Sequence, residues 1–150
     1  VYGPYGRPDM APWIFAKSII EGREVVLYNN GSMKRDFTYI DDVVNAILII
    51  LHSESHREVF SIYNIGNSSP HTVLELYTLI EQNLGLKGKY ICLEAPAGDV
   101  EQTFADMRYA RAALGLSQFT PFETGIMEFC TWYKWYYNLM QVKYIQGKLI

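Results

Sequence analysis

Val1-Tyr2-Gly3-Pro4-Tyr5-Gly6-Arg7-Pro8-Asp9-Met10 opens the chain, and its reading decides the fold. Val1-Tyr2 reads as the end of a buried strand entered from its middle. Two glycines and two prolines then make a rigid, irregular loop. Asp9 is expected to cap a helix over about Met10–Glu21, with Pro12 in its first turn and Gly22 as its stop. Strand, loop and helix in succession belong to an α/β fold, and loops at strand ends are where such folds hold ligands. The start at Val1, with neither Met nor a signal-peptide pattern, predicts a piece of a larger protein.

The rest of the chain continues the alternation. Val25–Tyr28 reads as a short strand, Asn29-Asn30-Gly31-Ser32 as a turn of residues that tolerate positive φ, and Arg35–Ile40 as a second extended piece. Asp41 or Asp42 opens an apolar helix from Val43 to about Leu51. Val59–Ile65 is predicted as a strand, closed by Gly66-Asn67. Thr72 and Glu75 form a capping box for a helix through Leu84, with Val73, Leu76, Tyr77, Ile80 and Leu84 on its core face and Gly85 at its end. Lys89–Glu94 is another strand and Ala95–Ala105 a loop. Asp106 is placed to cap a short helix over Met107–Leu114. Thr120 and Glu123 repeat the capping box before a last helix, whose Ile126, Phe129, Tyr133 and Tyr136 make an apolar stripe. The alternation gives an α/β class.

Composition narrows the function. The 150 residues are 49% hydrophobic and 19% charged, which supports a packed core and excludes disorder. Thirteen Lys and Arg against sixteen Asp and Glu give a net charge of −3, which argues against a nucleic-acid partner. No apolar run approaches the roughly 20 residues that span a bilayer, so no membrane partner is expected. Cys92 and Cys130 lack close cysteine neighbours and read as small buried hydrophobes in a reducing, cytoplasmic setting. His52, His56 and His71 fall around loops and helix ends and read as surface or capping residues, so no metal site is expected. Asp36, Asp41 and Asp42 precede a helix, where capping is their expected role. Thr38 and Tyr39 read as structural; Phe60, Tyr63, Trp132, Trp135 and Tyr137 read as packing.

Four segments exceed what propensity explains. They are the opening Val1–Met10, Gly31-x-x-x-Arg35-Asp36-Phe37-Thr38-Tyr39-Ile40-x-Asp42, Tyr63-Asn64-Ile65-Gly66, and Gly98-Asp99-Val100 with Thr103-Phe104-Ala105-Asp106. In this order and spacing they resemble the C-terminal half of the extended short-chain dehydrogenases/reductases, the NAD-dependent nucleotide-sugar epimerases and dehydratases. Arg35-Asp36-Phe37 with Tyr39-Ile40 and Asp42 is shared widely. Gly6-Arg7-Pro8-Asp9-Met10 is narrower and is similar to the UDP-glucuronate 4-epimerase branch, with Tyr5 where that branch carries Trp. The resemblance covers roughly residues 1–138. The tail 139–150 resembles nothing.

The resemblance implies the substrate-binding part of an extended Rossmann-type enzyme, without its N-terminal nucleotide-binding part. The chain has no G-x-G for NAD. The catalytic Tyr-x-x-x-Lys pair of the family would lie upstream, and Tyr144 to Lys148, though correctly spaced, falls in the tail. The intact enzyme would use NAD, would bind a UDP-sugar between this chain and the missing N-terminal half, and could pair as a homodimer; this chain alone would bind no NAD and be inactive. In that family a tyrosinate takes the 4-hydroxyl proton as hydride leaves C4. The keto sugar turns, and hydride returns to its other face. The C-terminal half must anchor the diphosphate meanwhile.

Residue by residue, the resemblance implies Arg35 at the diphosphate, where a guanidinium fork suits two oxygens. Asp36 and Asp41 are alternative partners for it. Val26 and Tyr28 would wall the uracil pocket, with ordinary strand packing the alternative. Asp99 would accept from a ribose hydroxyl. Pro96 stands where the galactose branch has a second diphosphate Arg. Arg7 would recognise or restrain the sugar carboxylate, or instead pin Asp9. A UDP-glucuronate decarboxylase, a dehydratase of the same fold, and a non-catalytic nucleotide-binding remnant are the competing readings.

Overall fold

The computed structural model describes residues 1–52, 60–139, 144–145 and 148–149. His56, Val59 and the middle of the Tyr144–Lys148 spacing lie outside these. Helix α1 spans Ala11–Glu21, strand β1 Glu24–Tyr28, β2 Lys34–Arg35 and α2 Ile40–His52. They are followed by β3 His71–Thr72, α3 Val73–Leu84, β4 Lys89–Leu93, α4 Arg108–Leu114 and α5 Phe122–Leu139. A short antiparallel pair, β5 Tyr144–Ile145 with β6 Lys148–Leu149, ends the described residues.

The alternating pattern is realised as an α/β fold. The apolar stripes of α1, α3 and α5 meet in one core with Tyr2, Val25 and Leu27. The predicted face of α3 is buried at Leu76, Tyr77, Ile80 and Leu84, and that of α5 at Ile126, Phe129 and Tyr133. The capping box of α3 is complete: the Glu75 amide donates to Thr72 Oγ1 at 3.0 Å, and the Thr72 amide donates to Glu75 Oε2 at 2.6 Å. Gly22 and Gly85 end their helices in the left-handed conformation, as expected of C-terminal glycines. A second cluster joins Ala46 of α2 to Met107, Ala110 and Leu114 around α4.

β1 and β4 form a two-stranded parallel pair, registered Glu24 to Lys89 and Tyr28 to Leu93. Successive side chains alternate, so Val25 and Leu27 enter the core while Val26 and Tyr28 lie on the open face. β2 pairs antiparallel with β3, Arg35 opposite His71. Tyr2 lies against Tyr39 in a parallel bridge: its amide donates to Thr38 O at 2.9 Å, and the Ile40 amide donates back to Tyr2 O at 2.8 Å. Thr38 and Tyr39 are buried there, as structural residues.

Several local expectations are corrected. Met10, in an extended conformation, bounds α1, because Pro12 in the first turn fixes the start one residue beyond Asp9's reach; Asp9 instead meets Arg7. α2 begins at Ile40, which moves Asp41 and Asp42 into its first turn, where they still face the positive helix end. Met107 bounds α4, and Asp106 accepts from the Arg108 amide at 3.1 Å and from its guanidinium. The Thr120 hydroxyl is engaged by Asp42 at 2.9 Å, so it acts between helices and not as half of a capping box.

The strand over Val59–Ile65 is not formed among the described residues, since 60–65 belong to no sheet. Their period of two survives as burial: Tyr63 and Ile65 turn to the second cluster, whereas Phe60 and Ile62 are exposed. Alternation makes a two-faced segment; a strand also needs a neighbour. Phe60 and Trp135 are therefore not core packing. Cys92 is exposed because β4 is an edge strand exposed along its whole length, whereas Cys130 is buried as expected.

Candidate functional site

The centre of the site is β2 and the residues that continue it. On one side lies β3. On the other, the segment after Gly98 runs parallel to it: the Lys34 amide donates to Glu101 O at 2.9 Å, the Thr103 amide to Lys34 O at 3.2 Å, and the Asp36 amide to Thr103 Oγ1 at 3.0 Å. The turn Pro96–Asp99 closes with the Asp99 amide on Pro96 O at 3.2 Å. Gly98 takes φ 91° there, a value that favours glycine.

This zipper brings two predicted site residues into contact. Arg35 Nη2 donates to Asp99 Oδ1 at 2.9 Å, and Nη1 donates to Lys34 O at 2.8 Å. Neither Asp36 nor Asp41 is its acid partner. The pair is partly open to solvent, with side-chain exposures of 26% for Arg35 and 37% for Asp99. Both groups are therefore reachable from solvent.

Val26 and Tyr28, 38% and 40% exposed, share the open face of β1 with Ile91 and Leu93 opposite them across the sheet. Among the described residues Val26 belongs to neither core cluster. The end of this face is tied to the next loop: the Ala95 amide donates to Asn29 Oδ1 at 3.0 Å. One loop thus runs from the apolar face at Leu93 to the carboxylate at Asp99. Asn29 has φ 47° and Asn30 φ 55°, conformations that Asn tolerates and that turn the chain from β1 toward β2. The paired asparagines and the positive-φ turn were visible in the sequence; their tie to Ala95 was not.

Arg7 lies on the opening loop. Its Nε is 3.2 Å from Asp9 Oδ1, and its side chain is 75% exposed. It belongs to a different loop from Arg35 and Asp99. Two open depressions, of about 360 and 450 Å³, are lined by His71, Glu75 and Phe122 and by Phe104, Arg108 and Arg111; neither lining includes any of the five predicted residues.

Asp36 is the residue whose role sequence reasoning missed. It caps no helix. Its Oδ2 accepts from the Ala105 amide at 2.9 Å, and Gly66 packs so closely that a Cβ there would stand 2.8 Å from Oδ2. Asp36, Gly66 and Ala105 come from three of the four distinctive segments. Much of the motif is therefore the knot that holds Arg35 in place.

Burial pushes the phenols of Tyr2, Tyr39, Tyr77 and Tyr133 upward, the reverse of what a general base near neutrality needs. Asp106 is held down to about 2 by hydrogen bonds from Arg108, an exposed local pair. Among the described residues no group of three or more His, Cys, Asp or Glu is arranged to hold a metal ion.

Known proteins resemble this chain in sequence and in fold. The family model described as the NAD dependent epimerase/dehydratase family matches residues 1–66. UDP-glucuronate 4-epimerase 5 of Arabidopsis thaliana is 40% identical over 92% of this chain. The UDP-glucuronic acid 4-epimerase from Bacillus cereus, solved with UDP-glucuronic acid and NAD, superposes over 91% of the chain with a TM-score of 0.81 at 28% identity. The chain belongs to the extended short-chain dehydrogenase/reductase family. A further family structure, MoeE5 in complex with UDP-glucuronic acid and NAD, superposes over 90% of the chain with a TM-score of 0.80 at 32% identity. The chain spans 35% of the Arabidopsis protein, 43% of the Bacillus structure and 44% of MoeE5, less than half of each.

NAD does not fit the described residues. A dinucleotide's diphosphate is held where a parallel strand runs through a glycine-rich turn into a helix N-terminus. Here β1 runs through Asn29–Gly31 into β2, and β4 runs into the long loop before α4. Neither strand of the parallel pair opens directly into an α-helix; β1 is followed by a single 3-10 turn over Asn29–Gly31.

Proposed function

We propose that this chain is the UDP-sugar-binding portion of an NAD-dependent 4-epimerase, with UDP-glucuronate as its substrate. The observation that carries the reading is the Arg35–Asp99 pair, reached by one loop from the open Val26–Tyr28 face. A nucleoside diphosphate is apolar at its base, hydroxylated at its ribose and doubly anionic beyond. The site presents the matching groups in the matching order. Val26 and Tyr28 receive the base, Asp99 accepts from the ribose, and Arg35 bonds the diphosphate. The likeness to proteins named or solved with UDP-glucuronic acid supports the choice of sugar.

In this reading residues 1–138 grip the nucleotide while the sugar turns, and the redox step belongs to a nucleotide-binding part carrying its own tyrosine and lysine. Arg7 meets the sugar carboxylate, which has to be restrained because a carboxylate β to a ketone is readily lost as CO₂. The assembled enzyme works in the cytoplasm as a homodimer. No described helix is long and apolar enough to cross a membrane.

Calorimetry of the chain with UDP and with UDP-glucuronate tests the proposal. Saturable binding of both, abolished or strongly weakened in Arg35→Ala, is expected. A folded chain that binds neither overturns it.

A further inference from the structure

Tyr5 adopts φ 59° although it is not glycine. A bulky side chain in the left-handed region is costly, and such strain persists only where neighbours fix it. The ring that lies against Tyr5 is Trp132. Although Tyr5 is 76% exposed, its ring centroid lies 5.1 Å from that of Trp132 on α5. Trp132 in turn meets Trp13 of α1 at 5.7 Å and Tyr136 at 5.2 Å. Gly6 passes over the same shelf, where a Cβ would lie 3.8 Å from Trp13. Two loop bonds complete the fold-back: the Gly6 amide donates to Gly3 O at 3.3 Å and the Met10 amide to Arg7 O at 3.2 Å.

We propose that Trp132 is a positioning residue for the Arg7 loop, holding Tyr5 in its left-handed conformation so that Arg7 meets the sugar end of the bound nucleotide. The inference rests on the UDP-sugar reading above. It adds a residue far along the chain that sets sugar preference without touching the sugar. A ring contact restrains the loop without a hydrogen bond, so an aromatic replacement preserves the function and an aliphatic one removes it.

The test compares affinity for UDP-glucuronate with affinity for UDP in the whole chain and in Trp132→Leu, Trp132→Phe, Tyr5→Gly and Tyr5→Trp. Tyr5→Gly covers the chance that Trp132→Leu fails to fold, because Tyr5 is exposed and glycine accepts the positive φ. Trp132→Leu and Tyr5→Gly should lower the UDP-glucuronate to UDP affinity ratio about tenfold, the loss of one charge-assisted contact, with UDP affinity itself kept. Trp132→Phe and Tyr5→Trp should retain the ratio. An unchanged ratio in Tyr5→Gly overturns the proposal, as does failure of the aromatic replacements to rescue. If the parent chain binds no UDP, the nucleotide reading fails, and hydrogen exchange at the Met10 amide decides this inference separately. Faster exchange in Tyr5→Gly supports the stacking restraint, and equal exchange overturns it.

Discussion

Arg35 and Asp99 are joined by a 2.9 Å ion pair that ties strand β2 to a loop remote in sequence. Because the pair is partly exposed, its contribution to folding is small, about 1 kcal/mol or less. In the proposed reading its contribution to a bound diphosphate is larger. Arg35→Ala should weaken UDP binding by roughly 1.5–3 kcal/mol while shifting the urea midpoint little. Calorimetry beside urea unfolding separates the two effects. Equal losses in binding and stability would make the arginine merely structural.

Asp42 tests the bond between helices. Both its carboxylate oxygens accept from the Thr120 amide, at 3.2 and 3.0 Å, and Oδ1 also accepts from the hydroxyl. Asp42→Ala leaves a partly buried amide without this acceptor and should destabilise the chain by about 1–3 kcal/mol. A double-mutant cycle with Thr120→Val, read by urea unfolding, should return a clear coupling energy.

Glu75 gives the chain an acid limb. The bond from the Thr72 backbone lowers its carboxyl below the ordinary value of 4.5. A lowered folded-state value means stability that is complete above the unfolded value and lost as pH falls through the folded one. Stability should therefore decline as the solution is acidified below about 4.5. Glu75→Gln should flatten that decline in unfolding curves taken at stepped pH.

The two cysteines should differ in reactivity. Cys92 is exposed, whereas burial pushes the Cys130 thiol up to about 12. One thiol should react with a chromogenic disulfide in native buffer and two in denaturant. Two reactive thiols in native buffer would contradict the packing of α5.

Gly66→Ala should overpack the knot at Asp36. A Cβ there collides with the Ala105 side chain and presses on Asp36 Oδ2. The cost, roughly 1–3 kcal/mol by urea unfolding, should be accompanied by weaker UDP binding, since the same knot steadies Arg35. Stability and affinity within error of the parent would dissociate the knot from the site.

Helix faces and stops were readable because they depend on local spacing: the α3 capping box and its buried face formed as expected. What failed was the starting residue of α1, α2 and α4, by one to three positions, and whatever depends on a distant neighbour. Residues 60–65 carry strand-like alternation but lack a sheet, and Cys92 is exposed because β4 borders solvent. The residues of the candidate site, Arg35, Asp99, Val26 and Tyr28, could be named one by one through resemblance to a family. Their arrangement could not be read, because the Arg35–Asp99 pair and the Asp36 tie to Ala105 each close a long loop. Charge in the sequence names candidate partners, and only the fold chooses among them: Asp42 chose Thr120, and Arg35 passed over its neighbour Asp36.

The parallel pairing of β1 with β4 has a kinetic consequence. Glu24 finds Lys89 and Tyr28 finds Leu93 only after more than sixty residues of chain have been drawn together. Closing so long a loop costs entropy before any ladder bond repays it, and contacts of high sequence separation slow folding. The helices between these strands can form early from local signals. The face bearing Val26 and Tyr28 is then assembled late in refolding, so the chain is well wound before that face exists.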